Sequence, residues 1–219
     1  MPRIAIIGGH GKVALHLARQ LTRRGDEVTS IVRNPEHEAD VAQTGATPLV
    51  LDVEHADTDA LAAALTGHDA VVWSAGAGGG NPARTRAVDR DAAIASMGAA
   101  SQAGVDRYVM VSYRSAGRDE VPADNPFSTY AEAKAVADAH LRTCGLRWTI
   151  VAPGALDLEP GAGTIQLDTT YDRSLDGTSV SREDVAAVVA AVLADDAAVG
   201  QTYEFVGGSQ PIAEALRSG

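Results

Sequence analysis

Apolar residues in this chain fall into short unbroken runs that alternate with longer stretches of helical spacing. Arg3–Ile7 is a compact apolar run closed by Gly8-Gly9, as a strand buried on both faces would be. Val13–Arg24 carries Leu15, Ala18 and Leu21 on one helical face and stops at Gly25. The alternation continues with strands at Glu27–Val32, Thr47–Leu51, Ala70–Trp73, Tyr108–Val111 and Trp148–Val151. Helices are predicted at Asp57–Leu65, with Asp57 or Thr58 at the cap, at Ala83–Ala103 and at Ser128–Thr143. Strand after helix after strand implies an α/β fold, a doubly wound parallel sheet with right-handed crossovers and helices on both faces.

Beyond Val151 the periodicity loosens. Residues 153–176 are rich in Gly, Asp and Thr and read as irregular, with a short strand at Thr164–Leu167. A helix at Ser181–Ala194 opens on Ser-Arg-Glu-Asp, an N-cap followed by acidic residues in the first turn. A late strand at Gln201–Val206 and a terminal helix at Ile212–Leu216 complete the pattern. No repeat or linker interrupts it. The chain is therefore expected to form one domain over 1–219, with a core at 1–152 and a small extension at 153–219.

Composition narrows the class. The chain has 219 residues, 45% of them hydrophobic, enough for one large packed domain. A net charge of −11 argues against nucleic acid as a partner. No stretch approaches the length of a membrane span, and the N-terminal apolar run is too short for a signal peptide. The lone Cys144 excludes an internal disulfide and suits a reducing compartment, so a cytoplasmic location is expected. His10, His16, His37, His55, His68 and His140 show no metal-ligand spacing, and no metal is expected. No exposed apolar stripe assigns an oligomeric state. The chain has sixteen Arg but only two Lys, and both lysines, Lys12 and Lys134, fall inside the two motifs that follow.

The first motif is Gly8-Gly9-His10-Gly11-Lys12-Val13-Ala14, a G-x-x-G-x-x-A turn between the first strand and the first helix. Gly8 permits the tight turn, Gly11 lets backbone approach a pyrophosphate, and Ala14 lets the helix pack closely on the sheet. His10, Lys12 and Val13 lie in the same phosphate loop. At the end of the second strand stand Arg33 and Asn34, where NAD enzymes usually carry a carboxylate for the ribose 2′-hydroxyl. A guanidinium suits a 2′-phosphate, and Lys12 adds a second positive charge, so NADP(H) is favoured over NAD(H). Asp52 and Val53, ending the third strand, are placed to meet the adenine. Ser74, Ala75 and Gly76, ending the fourth, leave room for ribose and diphosphate; the glycines after Gly76 also suit a flexible loop.

The second motif is Tyr130-Ala-Glu-Ala-Lys134, which puts a phenol and an ammonium on one helical face. The ammonium is expected to lower the phenol pKa, so that Tyr130 exchanges a proton with a carbonyl or alcohol while hydride moves. Lys134 also serves the nicotinamide ribose. Ser112, ending the fifth strand, is placed to hydrogen-bond the reacting oxygen.

These residues together resemble the short-chain dehydrogenase/reductase superfamily. The segments GGHGKVALHLARQLTRRGDEVTSIVRNP, VDRYVMVSY, YAEAKAVADAHLRTCGLRWTIVAPGAL and SREDVAAVVAAVLAD are similar to its atypical NAD(P)H-binding branch. That branch contains biliverdin-IXβ/flavin reductase-like and NmrA-like proteins and relatives of the NAD-dependent epimerase/dehydratases. The resemblance implies that the segment after the sixth strand, with Pro153 and Gly154, borders the nicotinamide. It also puts Asp89 roughly where related enzymes carry an active-site Asn. The Ser112-to-Tyr130 interval is nearer the extended epimerase type, yet the region after the sixth strand is too short for an extended enzyme's nucleotide-sugar domain. Three functions stay open: an NADP(H)-dependent oxidoreductase acting on a small carbonyl, quinone or flavin, a non-catalytic NADP(H) sensor, and an NAD(P)-dependent epimerase or dehydratase.

Overall fold

A computed structural model describes residues 1–78, 81–118, 120–171 and 173–218. The elements follow in the order β1 (Arg3–Ile7), α1 (Lys12–Arg24), β2 (Glu27–Val32), α2 (Glu38–Ala42), β3 (Thr47–Val50), α3 (Thr58–Leu65) and β4 (Ala70–Trp73). Then come α4 (Pro82–Thr85), a π-helical segment Arg86–Ala92, α5 (Ala93–Gln102), β5 (Arg107–Val111), α6 (Ser128–Thr143) and β6 (Arg147–Pro153). The chain ends with β7 (Ala155–Asp157), β8 (Thr164–Leu167), β9 (Ser179–Ser181), α7 (Arg182–Leu193), β10 (Gln201–Gly207), β11 (Gln210–Pro211) and α8 (Ile212–Ser218).

Nine strands of the described residues form one sheet in the order β11-β8-β10-β6-β5-β4-β1-β2-β3. From β3 to β10 every pairing is parallel; β8 and β11 close the edge in antiparallel pairing. This is a Rossmann-like sheet. Side-chain parity builds its two faces. Ile4 and Ile6 pack with Val72, Val109, α1 and α7, whereas Ala5 and Ile7 pack with Val71, Trp73, Tyr108, α5 and α6. Within the second layer Ser96 Oγ and Tyr108 Oη pair at 2.7 Å.

Strand order reverses between β1 and β4, which makes a crevice at the carboxyl edge of the sheet. The glycine turn after β1 and the Ser74 turn after β4 form its two lips. Gly8 needs its positive φ of 84°, and a Cβ there would lie 2.5 Å from Ala75 Cα. A Cβ on Gly9 would lie 2.5 Å from Ser30 Cβ. These glycines therefore let the turn lie flat between β2 and the β4 turn.

The sequence predicts the main elements to within a residue or two. It misses α2, β7, β9 and β11, all too short to show a period. The π-helical segment within the long fourth-strand helix is also unmarked in the sequence. Residues Gly79 and Gly80 of the predicted glycine run lie outside the described residues.

Candidate nucleotide and active site

Two contiguous clefts open along the crevice. The first, of about 280 Å³, lies at the β2–β3 end and includes Gly8, His10, Arg33, Asp52, Val53 and Ala75 in its lining. The second, of about 760 Å³, includes Gly11, Lys12, Val13, Ser112, Tyr130 and Lys134. Ser74, Ala75, Gly76 and Gly11 border both. Glycine-loop residues and the Tyr-Lys pair, distant in sequence, thus share one cavity.

Helix α1 presents its first turn to this cavity. Its N-cap is Gly11, which offers no side-chain acceptor, and no acidic residue stands in that turn. By contrast, Asp57 and Ser181 cap α3 and α7 through their side chains. The opening amides of α1 and the positive end of its dipole are thereby left for an anion. Uncapped amides, a glycine-rich loop and a long cleft at the strand-order reversal fit a dinucleotide.

Charges of both signs line the first cleft. Arg33 Nη1 lies 3.6 Å from Glu54 Oε2, and Arg84 Nε donates to the same oxygen at 3.1 Å. Arg84 Nη1 also donates to Ala77 O at 2.7 Å. Burial alone would raise the Asp52 carboxyl, but the His55 ring, the Glu54 N–H and the Arg33 charge together hold it below its usual range. The His10 and His37 rings stack with centroids 3.6 Å apart, and His10 Nε2 meets Asp40 Oδ2 at 2.9 Å.

The second cleft brings together Ser112, Tyr130, Lys134 and Asp89. Residues 130, 134 and 138 fall on one face of α6. Lys134 is fully buried; its Nζ donates to Val111 O at 2.8 Å and faces Met110 Sδ at 3.5 Å. Burial lowers its pKa, and the Asp138 and Asp89 carboxylates oppose that shift. Ser112 Oγ donates to Asp138 Oδ2 at 2.5 Å, while Asp138 Oδ1 finds no partner among the described residues. Burial raises the Asp138 carboxyl against the pull of Lys134 and Ser112. Asp89, in the middle of the π-helical segment, is buried too; its Oδ2 accepts from Ala77 N at 3.0 Å and burial pushes its pKa up. Such π-turns recur at functional sites.

One expectation is corrected. The Tyr130 phenol is pushed up, not down: burial dominates, and the Asp89 and Asp138 charges add to it. The ammonium that was to lower it is turned to the Val111 carbonyl and shared between two carboxylates. In this state Tyr130 is a proton holder. Tyr130, Tyr113 and Phe127 pack as three mutually tilted rings with centroids 5.2–5.6 Å apart.

Not every predicted residue reaches these clefts. Asn34 turns its side chain to Glu36, accepting from its N–H at 3.0 Å, and so starts the short turn before α2. Pro153 and Gly154 border an adjoining cleft of about 500 Å³ with Ser112, Tyr113 and Tyr130. Gly154 also has a packing reason: a Cβ there would lie 2.8 Å from Val206 Cγ1 and 2.9 Å from Thr178 O. His37, Glu54, Arg84 and Asp138 were missed. Asp138 had a signal, since it continues the four-residue spacing of Tyr130 and Lys134. Glu54 and Arg84 had none, because their meeting depends on how two loops fold together.

Comparison with known proteins agrees with this geometry. The sequence profile of the NAD(P)H-binding family matches residues 8–196. YhfK of Bacillus subtilis, described as an uncharacterised sugar epimerase, is 33% identical over 98% of this chain and 99% of its own. A solved structure from Bacillus halodurans, provisionally described as an NAD-dependent epimerase/dehydratase, is 31% identical with a TM-score of 0.91 over the whole of both chains. The oxidoreductase YlbE of Lactococcus lactis is 26% identical over 99% of this chain and 95% of its own, with a TM-score of 0.87. No helix among the described residues is long and apolar enough to cross a membrane, and none of their acidic, His or Cys side chains group as a metal site. With a Rossmann-like sheet, an open phosphate-binding turn and a profile match over most of its length, the chain belongs to the NAD(P)H-binding family.

Proposed function

We propose that the protein is an NADP(H)-dependent oxidoreductase acting on a small carbonyl, quinone or flavin. The observation that carries this reading is the shared cavity: the open amides of α1 line the same cleft as Tyr130, Lys134 and Ser112. In this reading Gly8, Gly11, Lys12 and Val13 hold the diphosphate, and Arg33 takes the adenosine 2′-phosphate. Asp52 and Val53 border the adenine, and Ser74 to Gly76 the ribose. When bound, the reduced nicotinamide supplies hydride to the substrate carbon. Tyr130 holds its proton at the Oη and delivers it to the substrate oxygen as negative charge develops there. Its raised pKa keeps the phenol protonated before the reaction begins. Lys134 keeps a positive charge beneath the site, between Asp89 and Asp138. The tilted rings of Tyr113, Phe127 and Tyr130 offer aromatic surface against which an aromatic or conjugated substrate can pack.

The names of the relatives favour a second reading, an epimerase that oxidises and re-reduces one sugar carbon. Two results separate them. A reductase consumes NADPH stoichiometrically with a small aromatic aldehyde or quinone. An epimerase purifies with bound nucleotide and shows no net NADPH consumption.

A further inference from the structure

The first cleft is close to electrically balanced, and Glu54 is the reason. Arg33 and Arg84 supply two positive charges, and Asp52 and Glu54 supply two negative ones. Asp52 spends its oxygens on His55 and on the Glu54 N–H. Glu54 is different. Its side chain is only 15% exposed, and its Oε2 faces Arg84 Nε at 3.1 Å and Arg33 Nη1 at 3.6 Å. Two guanidinium groups, one after β2 and one on α4, thus converge on one carboxylate oxygen. That is the arrangement a phosphate would otherwise occupy. Arg84 is held there by its bond to Ala77 O as well.

Resting on the nucleotide-binding reading above, we infer that Glu54 sets the cofactor preference of this site: its carboxylate opposes an adenosine 2′-phosphate and accepts a ribose 2′-hydroxyl, while Arg84 joins Arg33 as a second phosphate-facing cation. A 2′-phosphate brings close to two negative charges to a place that already holds one. A ribose hydroxyl brings a donor that the carboxylate welcomes. The preference for NADP(H) is therefore graded, with Glu54 working against the two arginines. This assigns a specificity role to two residues outside the predicted motif, one after β3 and one at the start of the long helix.

The test is calorimetric titration of the full chain with NADPH and with NADH, for wild type, Glu54→Gln and Arg84→Gln. Gln is nearly isosteric and still accepts from Arg84, so it removes charge with little change of shape. Coulomb repulsion at this range predicts that Glu54→Gln binds NADPH about tenfold more tightly, and NADH no more tightly than wild type does. Arg84→Gln is expected to weaken NADPH about fivefold while leaving NADH within about twofold. Glu54→Ser provides a second removal of the charge and should move the ratio the same way. If Glu54 is only a scaffold for the arginines, Glu54→Gln weakens NADPH, and the inference is overturned. An unchanged NADPH-to-NADH ratio in both Glu54 variants overturns it too. Failure of wild type to bind either nucleotide removes the reading beneath it, and is seen before any variant is made.

Discussion

The two ends of the crevice are built in different ways. At the proposed nucleotide end the diphosphate-facing groups are backbone, the turn at Gly8–Gly11, the uncapped start of α1 and the small residues after β4, with the side chains of Arg33, Glu54 and Arg84 beyond them. At the substrate end they are buried side chains: Lys134, Asp138, Asp89 and Ser112, with Tyr130 and two further rings. The segments around that end are tied down by ion pairs. Arg114 pairs with Asp168 at 2.8 Å and also with Asp176, and Arg118 pairs with Glu204. The backbone turn is sensitive above all to shape, and the buried charges are sensitive to protonation as well.

The comparison is most exposed at Tyr130. Tyr130→Phe should lower reduction of a small aromatic aldehyde at least ~100-fold in kcat, since a positioned acid contributes on that order. The dissociation constant for NADPH should stay within about twofold. An unchanged kcat would mean that the substrate end does not work through this phenol. At the other end, Gly9→Ala places a Cβ 2.5 Å from Ser30 Cβ. Denaturant unfolding should show a loss of about 2–3 kcal/mol, with weakened nucleotide binding, because two backbones must separate. A stability within experimental error of wild type would show that the turn has room to move.

Smaller effects sharpen the contrast. Ser112 donates to Asp138, so its lone pairs face the cleft unless Asp138 is protonated and becomes the donor. Asp138→Asn keeps an acceptor for the Ser112 hydroxyl, whereas Asp138→Ala removes it. The alanine variant should lose about tenfold in kcat at unchanged NADPH affinity, and the asparagine variant should stay within about threefold of wild type. Equal losses in both variants would leave Asp138 with a packing role only. The smallest effect is on stability. A carboxyl whose pKa is raised on folding adds stability below its ordinary pKa near 4 and loses it as pH rises through the folded value. Tm measured from pH 4 upward should therefore decline less steeply in Asp138→Asn than in wild type. Parallel curves would contradict the raised pKa.

The nucleotide end was the more legible in the sequence, and the physics explains why. Its strands β1 and β4 are buried and read as nearly unbroken apolar runs, and the glycines after β1 are required by local geometry. Its one unreadable feature, the Arg33–Glu54–Arg84 convergence, depends on two loops meeting in space. At the substrate end the helical spacing of Tyr130 and Lys134 gave their common face, but not where the ammonium would point. The direction of the Tyr130 shift followed from burial and from two carboxylates, one of them 41 residues away in sequence. The short strands β7 and β9 pair with each other over three residues, a length at which alternation carries no signal.

The most direct measurement is calorimetric titration of the wild-type protein with NADPH, NADP⁺, NADH and NAD⁺. The account predicts saturable 1:1 binding, with either NADP form tighter than its NAD counterpart. Absence of binding by all four would contradict the account at its root, and equal affinity for the NADP and NAD forms would contradict the role given to Arg33.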